Sequence, residues 1–192
     1  MPAALLVRLL VWSWFGLALA AGYFGWLRRL PPFGVQAMIL GLTGLVLLLY
    51  FQTRPLRHWI DALDLRALVL FHVTRFIGIY FLVLYQRGEL PRAFALPAGF
   101  GDIIVATMAL PVALAPLEAG ARLRAVRIWN VVGLIDILLV IASATRINLT
   151  HPEQLRPLLH LPLSLLPTLL VPLIVATHVI IFARLARTER AA

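Results

Sequence analysis

Three ionisable side chains lie inside long apolar stretches of the sequence: Arg75, Asp102 and Asp136. On insertion scales, a charged residue at the centre of a membrane-spanning helix costs about 2.5–3.5 kcal/mol, so we expect these three to face the protein interior and one another. One guanidinium and two carboxylates carry an excess of one negative charge when all are ionised. Because two neighbouring carboxylates at low dielectric do not both stay charged easily, the group is a candidate site for a substrate or a proton, with Asn130 at its edge.

The depth of the three residues allows this contact. Each lies about eight residues inside its apolar stretch, or about 12 Å deep at 1.5 Å per residue. In a hydrocarbon core about 30 Å thick, all three then lie near the midplane. The same group also fits a purely structural role, in which Arg75 pairs with one carboxylate and holds helices together.

Two histidines, His72 and His178, are expected at a similar depth on two different helices. Two imidazoles so placed are the geometry of a bis-histidine haem or of a small metal site. Haem is therefore the one cofactor that the sequence suggests, with His72 and His178 as its candidate ligands. No motif for a particular metal ion is present. The absence of cysteine excludes disulfides, thiolate nucleophiles and cysteine-based metal centres.

Catalytic motifs are not found. Ser13, Ser143 and Ser164 lack a Gly-x-Ser-x-Gly setting, and no His–Glu zinc motif occurs. Whether the protein is an enzyme stays open, without a candidate catalytic residue.

The composition excludes a water-soluble globular domain. Of the 192 residues, 62% are hydrophobic and 13% are charged, against about 25% charged in soluble domains. The mean hydropathy is +0.95. All 17 basic residues are arginine, and the formal net charge is +9. These arginines stand in pairs and triples between apolar runs, as expected beside lipid headgroups, so the lipid bilayer is the expected partner and nucleic acid is not.

The predicted fold is all-α: a polytopic integral membrane bundle of six transmembrane helices with short loops, forming a single transmembrane domain over residues 1–192. A membrane-crossing helix needs roughly 20 mostly apolar residues. Although Ala18-Leu19-Ala20 resembles a signal-peptide cleavage site, we expect the first span to be retained because five more follow it. The predicted spans are 9–27, 31–51, 67–85, 94–116, 128–146 and 163–183.

Arginine counts predict the orientation. With six crossings, ten arginines fall on the side of the two termini and six on the other, and Arg75 lies within a span. Because positive loops stay in the cytoplasm, both termini are expected there. The compact, arginine-rich chain favours a bacterial inner membrane.

Connecting segments carry further predictions. Residues 52–66 are expected to form a short interfacial turn or helix. Thr150 is expected to cap a helix that begins at Pro152, with Glu153 completing a capping box. The last span is expected to be kinked by prolines, which recur at Pro157, Pro162, Pro167 and Pro172.

Three functions are compatible with these features. The first is a small transporter or permeation protein that uses Arg75, Asp102 and Asp136, and such a small chain would then form a homodimer or join a larger membrane complex. The second is a haem-binding or redox membrane protein. The third is an accessory or assembly subunit of a membrane complex, in which the polar group is structural only.

Overall fold

The computed structural model describes residues 3–31 and 33–191. Regular structure in these residues is entirely helical, as predicted. Short 3₁₀ helices cover Trp26–Arg29, His72–Ile77 and Pro152–Leu159, and a π-helical turn covers Leu166–Leu170. The α-helices are α1 (Ala3–Tyr23), α2 (Gly34–Gln52), α3 (Arg54–Asp61), α4 (Leu65–Phe71), α5 (Gly78–Gln86), α6 (Arg92–Leu114), α7 (Ala119–Thr150) and α8 (Val171–Ala191).

Six helical stretches are long and apolar enough to cross a membrane, which confirms the predicted number for the described residues. Their bounds differ from those predicted, most clearly in α7, which has 32 residues where 128–146 was expected. Hydropathy marks only the apolar part of a helix, whereas arginine is a good helix former and lets the backbone bonding continue into polar flanks. The six stretches are Leu5–Tyr23, Gly34–Gln52, Leu65–Gln86, Arg92–Leu114, Ala119–Thr150 and Leu166–Arg190.

The described residues group into two compact units. The first draws on Met1–Ala62 and Thr145–Ala176, and the second on Leu63–Ala144 and Thr177–Ala192. Helices α7 and α8 each contribute to both units.

In the first unit, polar contacts join the N-terminal helices to the proline-rich segment. The indole of Trp14 donates a hydrogen bond to Thr168 O at 2.8 Å. Gly22 allows close packing, because a Cβ atom there would lie 2.9 Å from the Leu161 side chain. By contrast, a Cβ atom at Gly41 would meet nothing within 4 Å, so a methyl group fits there without displacing a neighbour.

The connecting segments confirm one prediction and correct another. The helix α3 lies within the expected segment 52–66. Thr150 is not a cap: it ends α7, and its hydroxyl donates back to Arg146 O at 3.1 Å. The next helix does begin at Pro152, without a side-chain cap. The expected proline distortion of the last span takes the form of the π-helical turn that contains Pro167.

In the second unit, α5 and α6 approach each other at two glycines. A Cβ atom at Gly78 would lie 2.5 Å from Gly99 O and 2.8 Å from the Cβ atom of Asp102. Because the nearest obstacle is backbone, the helices can come this close only without a side chain at Gly78. This contact positions Asp102 of α6 beside the 3₁₀ helix His72–Ile77, which leads into α5.

The substitution Gly78→Ala is expected to lower the free energy of unfolding by about 1–3 kcal/mol, the usual cost of overpacking a close contact. Gly41→Ala is the matched control: it adds the same methyl group to a helix where space is open, and helix propensity alone favours alanine by up to about 1 kcal/mol. Denaturant unfolding of both variants in detergent micelles measures the difference. Equal stability of the two variants would contradict the close approach.

Candidate functional site

A fully buried guanidinium forms the centre of the second unit. Arg75 Nε donates to Asp102 Oδ1 at 2.6 Å, and Arg75 Nη1 donates to Gly133 O at 3.0 Å. Arg75 Nη2 donates to Asp136 Oδ2. The structure therefore brings together the three residues that the sequence singled out, here called the Arg–Asp cluster (Arg75, Asp102 and Asp136). Their role in binding a substrate or a proton stays a prediction.

The local backbone explains why Arg75 points inward. Residues His72–Ile77 form a 3₁₀ helix between α4 and α5, longer than the three or four residues usual for this helix type. In a 3₁₀ helix, side chains three residues apart stand above one another. His72 and Arg75 accordingly share one face, and both are fully buried.

Glycines make room for the two carboxylates. A Cβ atom at Gly101 would overlap Asp136 Oδ1. A side chain at this position of α6 would therefore push the Asp136 carboxylate away from Arg75. Gly78 likewise makes room for Asp102. The two glycines therefore allow Arg75, Asp102 and Asp136, which lie on three different helical stretches, to come within hydrogen-bonding distance.

The two carboxylates differ in exposure. The side chain of Asp102 is 6% exposed and that of Asp136 is 19% exposed. Asp102 is therefore the more enclosed partner of Arg75, and Asp136 is the partner whose side chain is partly exposed. Such a buried ion pair is stable only when further hydrogen bonds satisfy the remaining donors, and the Gly133 carbonyl accepts one of them.

A second polar group lies in the same unit, the His pair (His72 and His178). The two ring centroids are 4.2 Å apart, and both residues are fully buried. His178 Nδ1 and Asn130 Oδ1 share a hydrogen bond of 2.8 Å, and Asn130 Nδ2 donates to His178 O at 3.0 Å. His72 Nε2 and Thr177 Oγ1 share one of 3.1 Å. Asn130, expected at the edge of the Arg–Asp cluster, thus holds a histidine in place.

One ring nitrogen of each histidine is left without a partner. His72 Nδ1 and His178 Nε2 are buried and accept or donate no hydrogen bond within the described residues. Buried polar atoms normally have a hydrogen-bond partner. The two unpaired nitrogens therefore make the His pair a candidate reactive site.

The His pair does not have the geometry of haem ligands. A porphyrin between two axial histidines separates their rings by an iron atom and two iron–nitrogen bonds, whereas these rings are in direct contact. The described residues also contain no group of three or more His, Asp or Glu side chains placed to hold a metal ion. The structure thus lends no support to the haem hypothesis.

The Arg–Asp cluster and the His pair meet at Gly133. Its carbonyl accepts from Arg75, and a Cβ atom on it would lie 2.6 Å from His178 Cε1. A single position of α7 therefore separates the two groups. The face of α7 that carries Gly133 and Asp136 also carries Trp129, whose indole donates to Val105 O at 3.0 Å.

Sequence reasoning missed two participants. Thr177 was not singled out, although it lies next to His178 in the sequence. The Gly133 carbonyl was missed as well, because a backbone acceptor has no signal in residue type. The adjacency of Thr177 to a buried histidine could have drawn attention to it.

The comparisons with known proteins give a family without a function. A family model described as a domain of unknown function, DUF8737, matches residues 32–186. The chain therefore belongs to this family. No curated protein and no solved structure matches the chain significantly.

Replacing Arg75 with methionine is expected to lower the free energy of unfolding by about 3–5 kcal/mol, because it leaves two carboxylates buried without their partner. Arg127→Met is the control: Arg127 pairs with Glu189, with side chains 46% and 54% exposed, and such exposed pairs contribute about 1 kcal/mol or less. Unfolding of both variants in detergent by a denaturant titration compares them. Losses of equal size would show that Arg75 is not held as the structure indicates.

Proposed function

We propose that the chain is an integral membrane transport protein that takes up and releases a proton at the Arg–Asp cluster. The observation that carries this proposal is the composition of the cluster. A buried guanidinium binds two carboxylates, and the side chain of one of them, Asp136, is partly exposed.

Insertion into a membrane is supported by the outward faces of the helices. Large apolar side chains are exposed along the first five of the six long helical stretches, including Trp12, Leu40 and Ile128. Soluble monomers rarely expose large apolar patches, and hydrocarbon would cover these side chains in an inserted protein. The arginine bias then orients the protein in a bacterial inner membrane with both termini in the cytoplasm.

Charge balance favours a proton as the species bound. With all groups ionised, the Arg–Asp cluster carries one negative charge in excess. A net charge in a low-dielectric interior is costly, and one proton removes it. Asp136 is the natural acceptor, since Asp102 is more enclosed beside Arg75. Loss of the proton restores the ion pair with a charged carboxylate, so the cluster has two states that differ by one proton.

The His pair supports the same function. Chains of Asp, Glu and His inside membrane helices are used as proton relays in pumps and transporters. The unpaired Nε2 of His178 lies next to Gly133, whose carbonyl accepts from Arg75, and His72 shares a face of the 3₁₀ helix with Arg75. An imidazole can accept a proton on one nitrogen and give it up from the other, so the pair is suited to pass a proton onward.

A chain of this size would act as a homodimer.

Purified protein in sealed vesicles containing a pH-sensitive dye tests the proposal. After a potassium diffusion potential is imposed, the wild-type chain is expected to move protons, and Asp136→Asn is expected to abolish the flux because an amide cannot exchange the proton. Glu118→Gln is the control, since Glu118 is a solvent-exposed carboxylate outside the cluster.

Both variants must first show the wild-type yield and elution profile. Flux that persists at the wild-type level in Asp136→Asn would contradict the proposal. It would then leave the Arg–Asp cluster as a structural link, as expected of an accessory subunit.

A further inference from the structure

A cavity of about 690 Å³ lies within the first unit, in residues that the proposed transport function does not use. Its size is within the range of ligand pockets, roughly 300–1,000 Å³. The segment joining α1 to α2 lines one wall, with Arg28 and Leu30, and the start of α2 adds Val35. The 3₁₀ helix Pro152–Leu159 and the residue after it line another, with Arg156, Leu159 and His160.

The basic side chains of the cavity are free to bind an anion. Within the described residues, the guanidinium groups of Arg28 and Arg156 make no hydrogen bond and no ion pair, and both side chains are exposed. Arginine presents a planar fork that matches the oxygens of a phosphate. One carboxylate, Glu153, also lines the cavity, so the two arginines leave it with one positive charge when histidine is neutral.

Apart from Asn148 and His160, the remaining lining is apolar. Leu30, Val35 and Leu159 face the same space as the two arginines. A site that combines guanidinium groups with branched aliphatic side chains fits an amphiphile, with its anionic end on the arginines and its apolar part on the leucines. Arg28 and Arg156 also lie in the short segments that follow the long helices α1 and α7, where lipid headgroups are expected in an inserted protein.

We propose that this cavity binds the phosphate of an anionic phospholipid headgroup, with Arg28 and Arg156 as the phosphate ligands. The single negative charge of a phosphodiester matches the single positive charge of the lining. The inference rests on the membrane insertion that is part of the proposed function, and on no property of the Arg–Asp cluster.

Native mass spectrometry of the protein in detergent tests the proposal with three added probes: phosphatidylglycerol, phosphatidylcholine and inorganic phosphate. The wild-type chain is expected to retain phosphatidylglycerol in preference to phosphatidylcholine. The double variant Arg28→Gln/Arg156→Gln is expected to bind phosphatidylglycerol at least about tenfold more weakly, because it loses two charge-assisted contacts. The double variant Arg28→Lys/Arg156→Lys keeps the charge and is expected to keep most of the preference for phosphatidylglycerol over phosphatidylcholine.

Arg29→Gln provides the matched control. Arg29 is the next residue along the chain and is also exposed, but it does not line the cavity, so this variant is expected to bind like the wild type. Equal retention of the two lipids, an unchanged affinity in the double glutamine variant, or an equal loss in Arg29→Gln would overturn the proposal. Displacement of the lipid by an equal concentration of inorganic phosphate would assign the cavity to a free anion and overturn it as well.

The outcome can be separated from that of the transport experiment. The double variant Arg28→Gln/Arg156→Gln is expected to move protons at the wild-type rate, because neither arginine belongs to the Arg–Asp cluster or to the unit that holds it. A wild-type chain without proton flux would contradict the transport proposal and leave the lipid measurement unaffected.

Discussion

The pairing of one buried guanidinium with two carboxylates is the constraint that the second unit is built around. A charge enclosed among apolar helices is tolerated only when it is paired and hydrogen-bonded. Each of the three guanidinium nitrogens of Arg75 has an acceptor on one of two other helices: the side chains of Asp102 and Asp136 and the backbone of Gly133. The unit must therefore hold these helices in one register, since a shift of one turn would remove an acceptor.

The glycines and the 3₁₀ helix follow from this requirement. Gly78 and Gly101 leave space for the two carboxylates, and Gly133 exposes its carbonyl to Arg75 and its Cα to His178. The 3₁₀ stretch His72–Ile77 brings His72 and Arg75 onto one face. These three glycines thus create the volume in which the polar groups are buried.

The sequence predicts the Arg–Asp cluster because the cost of exposing a charge to lipid forces such residues inward and towards one another. It does not predict the partner of each group. Asn130, expected at the edge of the cluster, bonds to His178, and His72 and His178 lie in ring contact where shared depth alone suggested haem ligands. Position along a helix gives the height of a side chain, whereas its partners depend on helix rotation and rotamer. The long α7 and the end of that helix at Thr150 were missed because hydropathy does not register helical polar flanks.

The arginines of the chain fall into classes that composition alone does not separate. Arg75 forms ion pairs inside the protein, and Arg127 pairs with Glu189 on the surface. Arg28 and Arg156 line a cavity and have no protein acceptor among the described residues. In the orientation predicted from the arginine counts, the last two are minority charges on the side away from the termini. Their presence there works against the orientation signal, and a ligand that needs positive charge on that side would give a physical reason for it. The anionic headgroup that we propose for the cavity is such a ligand, because it would supply the acceptor that the described residues do not.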